Sequence, residues 1–367
     1  MINCIEKELC TGCKSCFNIC PYQAITMPTD LEGFWYPFVN EKCKKCGLCL
    51  KICPSLNRRS YNHHFNTPLV YAAWSRNEEV RCFSTSGGIF SELAHQVLND
   101  GGWVVGAQYT CDFLVEHSMA RNSTGISRLR QSKYLQSDTN TIYQQTLEAL
   151  ELGKKILFCG TPCQNAALDT FLRRDYQNLV KCDFICRGVI SPMVYTKYLE
   201  MLEERYGQPI ISVTFKNKSR GWNGFCTKIQ FTDGQEYIED RNHDLYMIGY
   251  LKYNLYLRTS CHHCLYKQLP RVSDITLGDF WGIGRTRPHL DEDKGTSVVL
   301  LNSNRGQQLF EKISKRVEFE ECTLDEAIKG NVCILESTPK GPCRNVFFQE
   351  ILANPFDVAF NKVVSLK

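Results

Sequence analysis

The sequence predicts a mixed α/β chain in which a small cysteine-rich module precedes a larger body. Residues 1–57 contain nine of the 21 cysteines and show little helical or strand periodicity. From residue 69 onward, apolar β-rich runs alternate with amphipathic helical patterns. The segment around Asp233-Gly234 instead indicates antiparallel strands joined by tight turns. A chain of 367 residues is long enough to bury a core in each part.

Changes in composition divide the chain into four parts. The cysteine-rich module spans 1–57, and a polar linker with adjacent histidines spans 58–68. The body then has an N-terminal part, 69–190, and a C-terminal part, 191–367. We expect the module and the body to form separate domains, because each has its own pattern of apolar residues.

The elements of the body follow from the period of its apolar residues. The predicted strands are Leu69–Trp74, Trp103–Tyr109, Lys155–Cys159, Leu179–Ile185, Ile210–Lys216, Phe225–Thr232, Ile275–Leu277 and Thr296–Leu301. The predicted helices are Ser86–Leu98, Thr141–Leu152, Pro162–Arg173, Arg305–Lys315 and Leu324–Lys329. In residues 69–190 strands and helices alternate, which indicates a sheet with helical crossovers.

Composition excludes several classes of function. The 43 basic and 39 acidic residues are interspersed and leave a net charge of +4, so no basic stripe is available for nucleic acid. No run of eighteen apolar residues and no signal-peptide pattern is present, which predicts a cytoplasmic protein without a membrane span. In a reducing cytoplasm, clustered cysteines are expected to bind metal rather than to form disulfides.

Two cysteine blocks in the module share one spacing. Each block has the pattern C-x2-C-x2-C-x3-C-P, with cysteines at Cys10, Cys13, Cys16 and Cys20 and at Cys43, Cys46, Cys49 and Cys53. This is the pattern of bacterial ferredoxins, in which the fourth cysteine of each block binds the other [4Fe-4S] cluster. We therefore assign Cys10, Cys13, Cys16 and Cys53 to one cluster, and Cys43, Cys46, Cys49 and Cys20 to the other. Zinc knuckles would leave the third cysteine and the Cys-Pro step unexplained.

A second group of cysteines lies in the body. Cys163 and Cys186 are predicted just beyond strands, at the sheet edge where α/β folds bind ligands, and Cys261 and Cys264 form a compact pair. The spacing leaves three alternatives open: a third [4Fe-4S] cluster, a zinc site using His262 or His263, or unligated thiols. Cys163 has a further alternative, because a thiol at a helix N-terminus can become a reactive nucleophile.

Three segments are candidates for a flavin-sized ligand. Ser84-Thr85-Ser86-Gly87-Gly88 precedes a predicted helix and suits a pyrophosphate, although the motif by itself favours an ordinary cap by Ser84 or Ser86. Asp279-Phe280-Trp281-Gly282 has the residues to pack on a planar cofactor or simply to form core and turn. The third segment is suited to ribityl or phosphate contacts and contains Lys133, Tyr134, Gln136 and Ser137. No GxGxxG or Walker motif supports a different nucleotide site.

Together these segments resemble the coenzyme F-420 hydrogenase/dehydrogenase beta-subunit family over nearly the whole chain. The resemblance rests on five motifs in order, which lie at 84–88, 132–137, 158–164, 183–192 and 260–282. It implies a bacterial-ferredoxin-like domain followed by a flavin-binding α/β domain with an antiparallel portion. Arg187 departs from the pattern, since many relatives have histidine there, and an arginine would favour an anionic flavin or substrate.

Family membership also implies cofactors and their ligands. It implies FAD, with Gly160, Thr161 and Pro162 joining the contacts named above, and a third [4Fe-4S] cluster bound by Cys163, Cys186, Cys261 and Cys264. We expect an enzyme that moves electrons between clusters and FAD and on to a deazaflavin-like or other small organic substrate. The alternative is a non-catalytic subunit that connects a redox partner protein to a soluble electron carrier. A zinc-stabilised binding module is a third hypothesis and would be colourless.

Overall fold

The computed structural model describes residues 1–61 and 63–365. Asn62, in the predicted linker, and Leu366 and Lys367, at the end of the predicted C-terminal part, lie outside the described residues. The strands are β1 Ile25–Thr26, β2 Phe38–Val39, β3 Leu69–Ser75, β4 Trp103–Tyr109, β5 Val115–Ala120, β6 Ile156–Cys159, β7 Leu179–Phe184, β8 Ile210–Asn217, β9 Cys226–Phe231, β10 Glu236–Asp240, β11 Ile275–Asp279, β12 Ser297–Leu301 and β13 Val317–Cys322.

The α-helices are α1 Ser15–Ile19, α2 Leu48–Lys51, α3 Glu78–Cys82, α4 Ile89–Asn99, α5 Ser123–Leu129, α6 Ile142–Glu151, α7 Pro162–Leu172, α8 Pro192–Tyr206, α9 Leu245–Leu251, α10 Ile283–Thr286, α11 Asn304–Ile313, α12 Leu324–Gly330, α13 Arg344–Ala353 and α14 Phe356–Val364. Short 3-10 helices lie at Ile2–Cys4, Thr259–His263, Pro288–Leu290, Ser314–Arg316 and Val332–Ile334. Within the described residues, none of these helices is long and apolar enough to cross a membrane.

An eight-stranded sheet forms the centre of the body, in the order β13-β3-β12-β11-β7-β6-β4-β5. Strands β4, β6, β7 and β11 are mutually parallel, and β3 points the same way because two antiparallel steps through β12 separate it from β11. The carboxyl ends of five strands therefore meet at one edge of the sheet. The predicted site residues at 84–88 and 160–163 and Cys186 follow β3, β6 and β7, so their segments start from that edge.

Helices cover both faces of this sheet. Apolar side chains of α4 and α11, such as Leu93 and Phe310, pack on one face. Tyr143 of α6 and Leu168 of α7 pack on the other face with Phe158 of β6. Because both faces are covered, β12 is buried along its whole length, which explains why it consists of one apolar run, Ser297–Leu301.

A second sheet, with the order β10-β9-β8, carries the predicted antiparallel portion. It shares a core with α8, α9, α13 and α14, in which aromatic rings predominate. Tyr198 of α8 stacks on Tyr246 of α9 with 4.8 Å between ring centroids, and Phe356 of α14 meets both rings edge-on or tilted. This second core extends to one end of the eight-stranded sheet, where Val115 of β5 and Tyr109 of β4 join it.

The structure confirms the predicted α/β class with an antiparallel portion, but several elements were missed. The predicted helix Ser86–Leu98 begins three residues later, at Ile89. Strand β13 alternates acidic and apolar residues at the edge of the sheet, so its pattern is not that of a buried strand. Helix α8 was also missed, although Ser191 caps it, Pro192 begins it and Gly207 ends it.

The cysteine-rich module docks on the body near the same sheet edge. Helix α1 packs against α6 and α7. Thr139 Oγ1 donates to the carbonyl of Cys13 at 2.9 Å, and Lys14 forms an ion pair with Asp138 at 2.5 Å. The predicted linker, 58–68, thus joins a module and a body that contact each other directly.

Candidate functional site

The two cysteine blocks adopt the same backbone conformation. Gly12 and Lys14 in the first block have φ values of 67° and 60°, and the equivalent Lys45 and Gly47 in the second have 54° and 75°. Left-handed residues at these positions turn the loop sharply, and successive turns of this kind direct backbone N–H groups inward, toward an anion. In the second block, the Lys45 N–H donates to Cys43 Sγ at 3.4 Å. The duplication seen in the sequence is therefore also a duplication of backbone geometry.

The inner cysteine set consists of Cys10, Cys13, Cys16 and Cys53, which line one pocket. Apolar side chains, among them Ile2, Ile5 and Met27, complete its wall. Burial raises the pKa of Cys13 to about 12, and the neighbouring Cys53 acts in the same direction. Four converging thiols in an apolar pocket are suited to a [4Fe-4S] cluster, whose iron supplies the positive charge that the thiolates need.

The outer cysteine set, which consists of Cys20, Cys43, Cys46 and Cys49, is more exposed than the inner set. Cys46 is exposed and Cys43 and Cys49 are half-buried, whereas Cys10, Cys16 and Cys53 of the inner set are buried. Cys20 and Cys49 both pack against the small core of the module, which includes Ile2 and Ile25. One set therefore faces the solvent and the other faces the body.

Arg258 joins the inner set to the body. Its side chain is fully buried, and its guanidinium donates to the carbonyls of Cys10 at 2.8 Å and Trp35 at 3.1 Å. One guanidinium nitrogen lies 3.7 Å from Cys10 Sγ, and another donates to Gln136 Oε1 at 3.1 Å. A Cβ atom at Gly12 would lie 2.8 Å from this guanidinium, so only glycine fits there. The residue equivalent to Gly12 in the second cysteine block is Lys45.

The third cysteine set, Cys163, Cys186, Cys261 and Cys264, is gathered at the sheet edge. Cys163 lies in the first turn of α7 after β6, Cys186 lies just beyond β7, and Cys261 lies in the 3-10 helix Thr259–His263. Burial raises the pKa of Cys163 well above its usual range, and the nearby Cys264, Cys186 and Cys261 act in the same direction. Burial likewise raises the pKa of Cys186 to about 12 and that of Cys261 to about 11.

The alternatives for this third set are less well supported. His262 is buried with Nδ1 2.9 Å from the carbonyl of Thr338, and His263 is exposed. Among residues 1–61 and 63–365, no three His, Cys, Asp or Glu side chains stand close enough to hold a single metal ion. A zinc ion needs all its ligands around one point, whereas a cubane distributes four thiolates over four irons. The raised pKa of Cys163 is also the opposite of what a reactive thiolate requires.

Two tyrosines lie close to the inner and third sets: Tyr143 belongs to the apolar cluster that includes Cys13, and Tyr266 packs with Cys163 and Cys264. Tyr143 of α6 and Tyr266 are both buried, and each interacts electrostatically with Cys13 of the inner set and Cys163 of the third set. Their hydroxyl groups are buried without a hydrogen-bond partner. The body segment that follows Arg258 leads directly to Cys261, whose N–H donates to the Arg258 carbonyl at 2.9 Å. The two sets are therefore neighbours across the contact between module and body.

Two of the predicted flavin segments meet. Thr85 Oγ1 accepts from the Ser132 N–H at 2.8 Å, which places the turn 84–88 beside the segment 132–137. Ser86 Oγ is buried without a hydrogen-bond partner. Arg130 Nε, just before the segment 132–137, is likewise buried without one. Burial lowers the pKa of Lys133 to about 7, while its ammonium donates to carbonyls of residues 128, 130 and 131. Unpartnered donors and a buried amine at a sheet edge are suited to an anionic group such as a pyrophosphate.

Gly87 and Ser84 have structural partners instead. A Cβ atom at Gly87 would lie 2.3 Å from the carbonyl of Ala73, and the Gly87 N–H donates to Ser297 Oγ at 2.9 Å. Ser84 Oγ donates to the carbonyl of Val80 at 2.7 Å. Gly88 is the N-cap residue of α4, with φ at 87°. Gly87 therefore allows the turn to pack against β3, and its amide is not directed at a ligand.

The side chains of the adjacent residues Gln136 and Ser137 contact different parts of the fold. The Gln136 amide donates to the Thr11 carbonyl at 3.2 Å, so this residue belongs to the contact between module and body. Ser137 Oγ lies 2.7 Å from His117 Nδ1, and His117 Nε2 lies 3.2 Å from the Cys159 carbonyl beside Gly160. Burial lowers the pKa of His117 to about 4. His117 was not predicted, because it lies in strand β5, which was itself missed.

Thr161 and Pro162 shape the start of α7. Thr161 forms a capping box with Gln164, and Pro162 occupies the first turn. Thr161 Oγ1 also lies 3.0 Å from Cys163 Sγ. This capped turn fixes the position of Cys163 beside the third set.

The remaining predicted contacts face the second core. Tyr134 meets the rings of Phe215 and Tyr250 edge-on. Asp279 accepts from Lys216 and from Trp222 Nε1, and Trp222 stacks on Trp281 with 4.8 Å between ring centroids. The Arg187 guanidinium donates to the Leu251 carbonyl and to Asn254 Oδ1. Both bonds use the same nitrogen, and Arg187 Nε is buried without a hydrogen-bond partner, so the preference of Arg187 for an anion stays a prediction.

Comparisons with known proteins agree with this description. Residues 153–327 match the family model for the C-terminal region of the coenzyme F420 hydrogenase/dehydrogenase beta subunit, and residues 9–57 match the 4Fe-4S dicluster domain. One component of the F(420)H(2) dehydrogenase of Methanosarcina mazei, the subunit designated F, is 20% identical over 328 residues, which cover 86% of each chain. The PorD component of pyruvate synthase from Thermotoga maritima is 41% identical over 51 residues, which cover 14% of this chain and 48% of PorD.

The fold has a solved counterpart. A chain of the F420-reducing [NiFe] hydrogenase complex from Methanosarcina barkeri superposes with a TM-score of 0.50 at 15% identity, covering 75% of this chain and 93% of that one. Fold and cysteine blocks thus define an iron–sulfur electron-transfer protein. Residues 153–327 belong to the C-terminal region of the coenzyme F420 hydrogenase/dehydrogenase beta-subunit family, and residues 9–57 form a 4Fe-4S dicluster domain.

Proposed function

We propose that this chain is a cytoplasmic FAD- and iron–sulfur-dependent oxidoreductase that moves electrons between a protein or soluble carrier and a small organic substrate, with a deazaflavin as the first candidate. The observation that carries this proposal is the third cysteine set, gathered at the carboxyl edge of the sheet, where Tyr266 packs with Cys163 and Cys264 and helix α1 of the module packs on α7. The division into a module, 1–57, a linker, 58–68, and a two-part body, 69–190 and 191–367, belongs to the same proposal.

The residues that would hold the clusters are three sets of four cysteines. The outer set is Cys20, Cys43, Cys46 and Cys49; the inner set is Cys10, Cys13, Cys16 and Cys53; the third set is Cys163, Cys186, Cys261 and Cys264. When bound, the clusters and FAD supply one-electron transfer and hydride chemistry respectively. The chain itself buries Cys10, Cys16 and Cys53 of the inner set and leaves the third set half-buried at the sheet edge.

The residues that would hold FAD lie around the turn 84–88. Ser86 Oγ and Arg130 Nε provide donors for its phosphates, and the N-terminus of α4 begins beside them at Gly88. Lys133 lies in the neighbouring segment, but carbonyls occupy its three donors. Gly160, Thr161 and Pro162 bring the same sheet edge next to Cys163. Gln136, Tyr134 and Asp279 are bound elsewhere in the fold, so we assign them a supporting rather than a contacting role.

A second candidate function is a non-catalytic electron-transfer subunit. It is favoured because both long relatives are named as parts of larger assemblies, one a component of a dehydrogenase and the other a chain of a hydrogenase complex. The two functions differ in what the isolated chain can do. Anaerobic reduction of the full-length protein, followed by a screen of deazaflavin, nicotinamide and dye acceptors, separates them. Turnover of deazaflavin or nicotinamide supports an enzyme, whereas transfer to dyes alone supports a connecting subunit.

Cofactor content tests the proposal first. We expect the freshly purified anaerobic protein to be brown with a flavin shoulder, and to release one FAD per chain on denaturation. A protein with iron but no flavin contradicts the FAD site while leaving the clusters in place. A colourless protein contradicts the whole proposal.

A further inference from the structure

We propose that the surface around the outer cysteine set binds a small acidic protein that carries single electrons. We call this surface the lysine face and define it by Lys42, Lys44, Lys45 and Lys51. This inference rests on the proposed electron-transfer function and adds where the carrier docks and what charge it bears.

The exposure of the cysteine sets indicates where a carrier approaches. Of the twelve cysteines in the three sets, Cys46 alone is exposed; the inner set is buried except for the half-buried Cys13, and all four cysteines of the third set are half-buried. Electron transfer between proteins slows steeply with distance, so a carrier must approach the most accessible set. The surface next to Cys46 is the loop and short helix at residues 41–51, which contain all four lysines.

The charges of this surface are unbalanced. All four lysines are exposed, and the same segment has one acidic residue, Glu41. Within the part of the chain that the structure describes, none of the four forms an ion pair. Elsewhere in the module Lys7 pairs with Asp30, Lys14 with Asp138 and Glu32 with Arg344, while Glu6 and Glu8 are exposed without an ion pair among the described residues. The lysine face is thus a local excess of positive charge in a chain whose net charge is close to balanced.

Apolar side chains lie among the lysines. Met1 is 50% exposed and its Sδ lies 3.7 Å from Cys43 Sγ, and Leu50 is 38% exposed beside Cys49. A small apolar centre surrounded by charged groups is the usual arrangement of a protein interface. Electron-transfer complexes bury little area and depend on complementary charge for rapid encounter. These features favour a small protein with an acidic surface over nucleic acid, for which the chain offers no extended basic stripe.

The test uses the full-length holoprotein and a double variant, Lys42→Glu with Lys44→Glu. A matched control is Lys315→Glu with Lys329→Glu, two exposed lysines of the body beside β13 and in α12, each without an ion pair in the described structure. The reductants are a reduced acidic 2[4Fe-4S] ferredoxin and the cationic viologen radical, and the measurement is stopped-flow bleaching of the clusters. Iron content is determined for each variant.

We expect the ferredoxin rate constant to fall on the order of tenfold in the lysine-face variant at low ionic strength, because its encounter depends on charge. The wild-type rate should fall as salt is raised, and the difference between the proteins should shrink. The control variant should match the wild type, and viologen should reduce all three proteins without such a loss.

An equal ferredoxin rate in a lysine-face variant with full iron content would overturn the docking proposal while leaving the electron-transfer function intact. The same holds if the control variant is slowed equally or if salt has no effect on the wild-type rate. If viologen fails to reduce the clusters of the wild type, the proposed function itself fails, and the docking proposal with it.

Discussion

Arg258 shows how a single residue holds the module, the body and the inner set together. Its buried guanidinium has no carboxylate partner among the described residues, and it contacts backbone carbonyls, an amide and the Cys10 sulfur instead. It also lies over the ring of Tyr36, 4.3 Å from its centroid. A buried cation without an acidic partner needs a negative charge nearby, and the thiolates of the inner set would provide it.

Replacing Arg258 by methionine should therefore have two effects. The carbonyls of Cys10 and Trp35 would lose their donor while remaining buried, which we expect to cost about 3 kcal/mol of unfolding free energy. Loss of the positive charge should also lower the reduction potential of the cluster bound by the inner set, because reduction adds negative charge there. Denaturant unfolding and redox titration followed by EPR measure these two effects.

Arg258→Lys is the control for charge. It keeps the cation but not the planar donors, so the potential should move less than in the methionine variant while stability still falls. Equal potentials in the wild type and the methionine variant would contradict an electrostatic role for Arg258.

His117 gives a pH dependence with a definite sign. Its pKa falls from the ordinary 6.5 to about 4 because burial disfavours the charged ring. Below pH 6.5 the unfolded chain binds a proton that the folded chain does not bind until about pH 4. Stability should be full above pH 6.5 and should decrease by about 3 kcal/mol as pH falls through this window.

The measurement is the unfolding free energy between neutral pH and pH 4 for the wild type and for His117→Gln. We expect the variant to be less stable at neutral pH but to lose less stability on acidification. Parallel curves for the two proteins would rule out His117 as the source of the pH dependence.

At the level of elements, the sequence predicted those segments whose residue pattern is typical of a single type of structure. Strand β4 begins and ends as predicted, at Trp103 and Tyr109, and the cysteine spacing predicted the module. Strand β13 and helix α8 were missed, because an edge strand has charged residues and because the apolar face of α8 packs on a distant helix, α14. The partners of Gly87 and Gln136 could not be predicted either, since they lie more than a hundred residues away in sequence.

Two substitutions just before the N-terminus of α4 distinguish a packing role from a ligand-binding role. Gly87→Ala should destabilise the protein by about 2 kcal/mol or more, because the new Cβ meets the Ala73 carbonyl in a packed turn. Ser86→Ala removes a buried hydroxyl that has no partner, so it should leave stability unchanged or raise it slightly. If Ser86 contacts FAD, the same change should weaken flavin binding.

The measurements are thermal unfolding and released FAD per chain for both variants. Full flavin content in Ser86→Ala would place the phosphates elsewhere. An unchanged melting temperature in Gly87→Ala would contradict the packing role assigned to that glycine.

At the level of the whole molecule, the sheet edge determines which groups can act together. The carboxyl ends of five strands bring together segments that are far apart in sequence, and the module docks near that edge through Arg258, Thr139 and α1. The resulting order is an exposed outer set, an inner set at the contact and a third set in the body. The lysine face lies at the exposed end of this order. The proposed function therefore depends most on whether the third set binds a cluster.

Iron and acid-labile sulfide per chain, measured on anaerobically purified full-length protein, test this claim most directly. We predict roughly twelve of each for the wild type, from three [4Fe-4S] clusters. Cys261→Ser should lower both to about eight, whereas Cys226→Ser, at a buried cysteine outside the three sets, should leave them unchanged. A wild-type value of about eight irons, unaltered by Cys261→Ser, would contradict the third cluster.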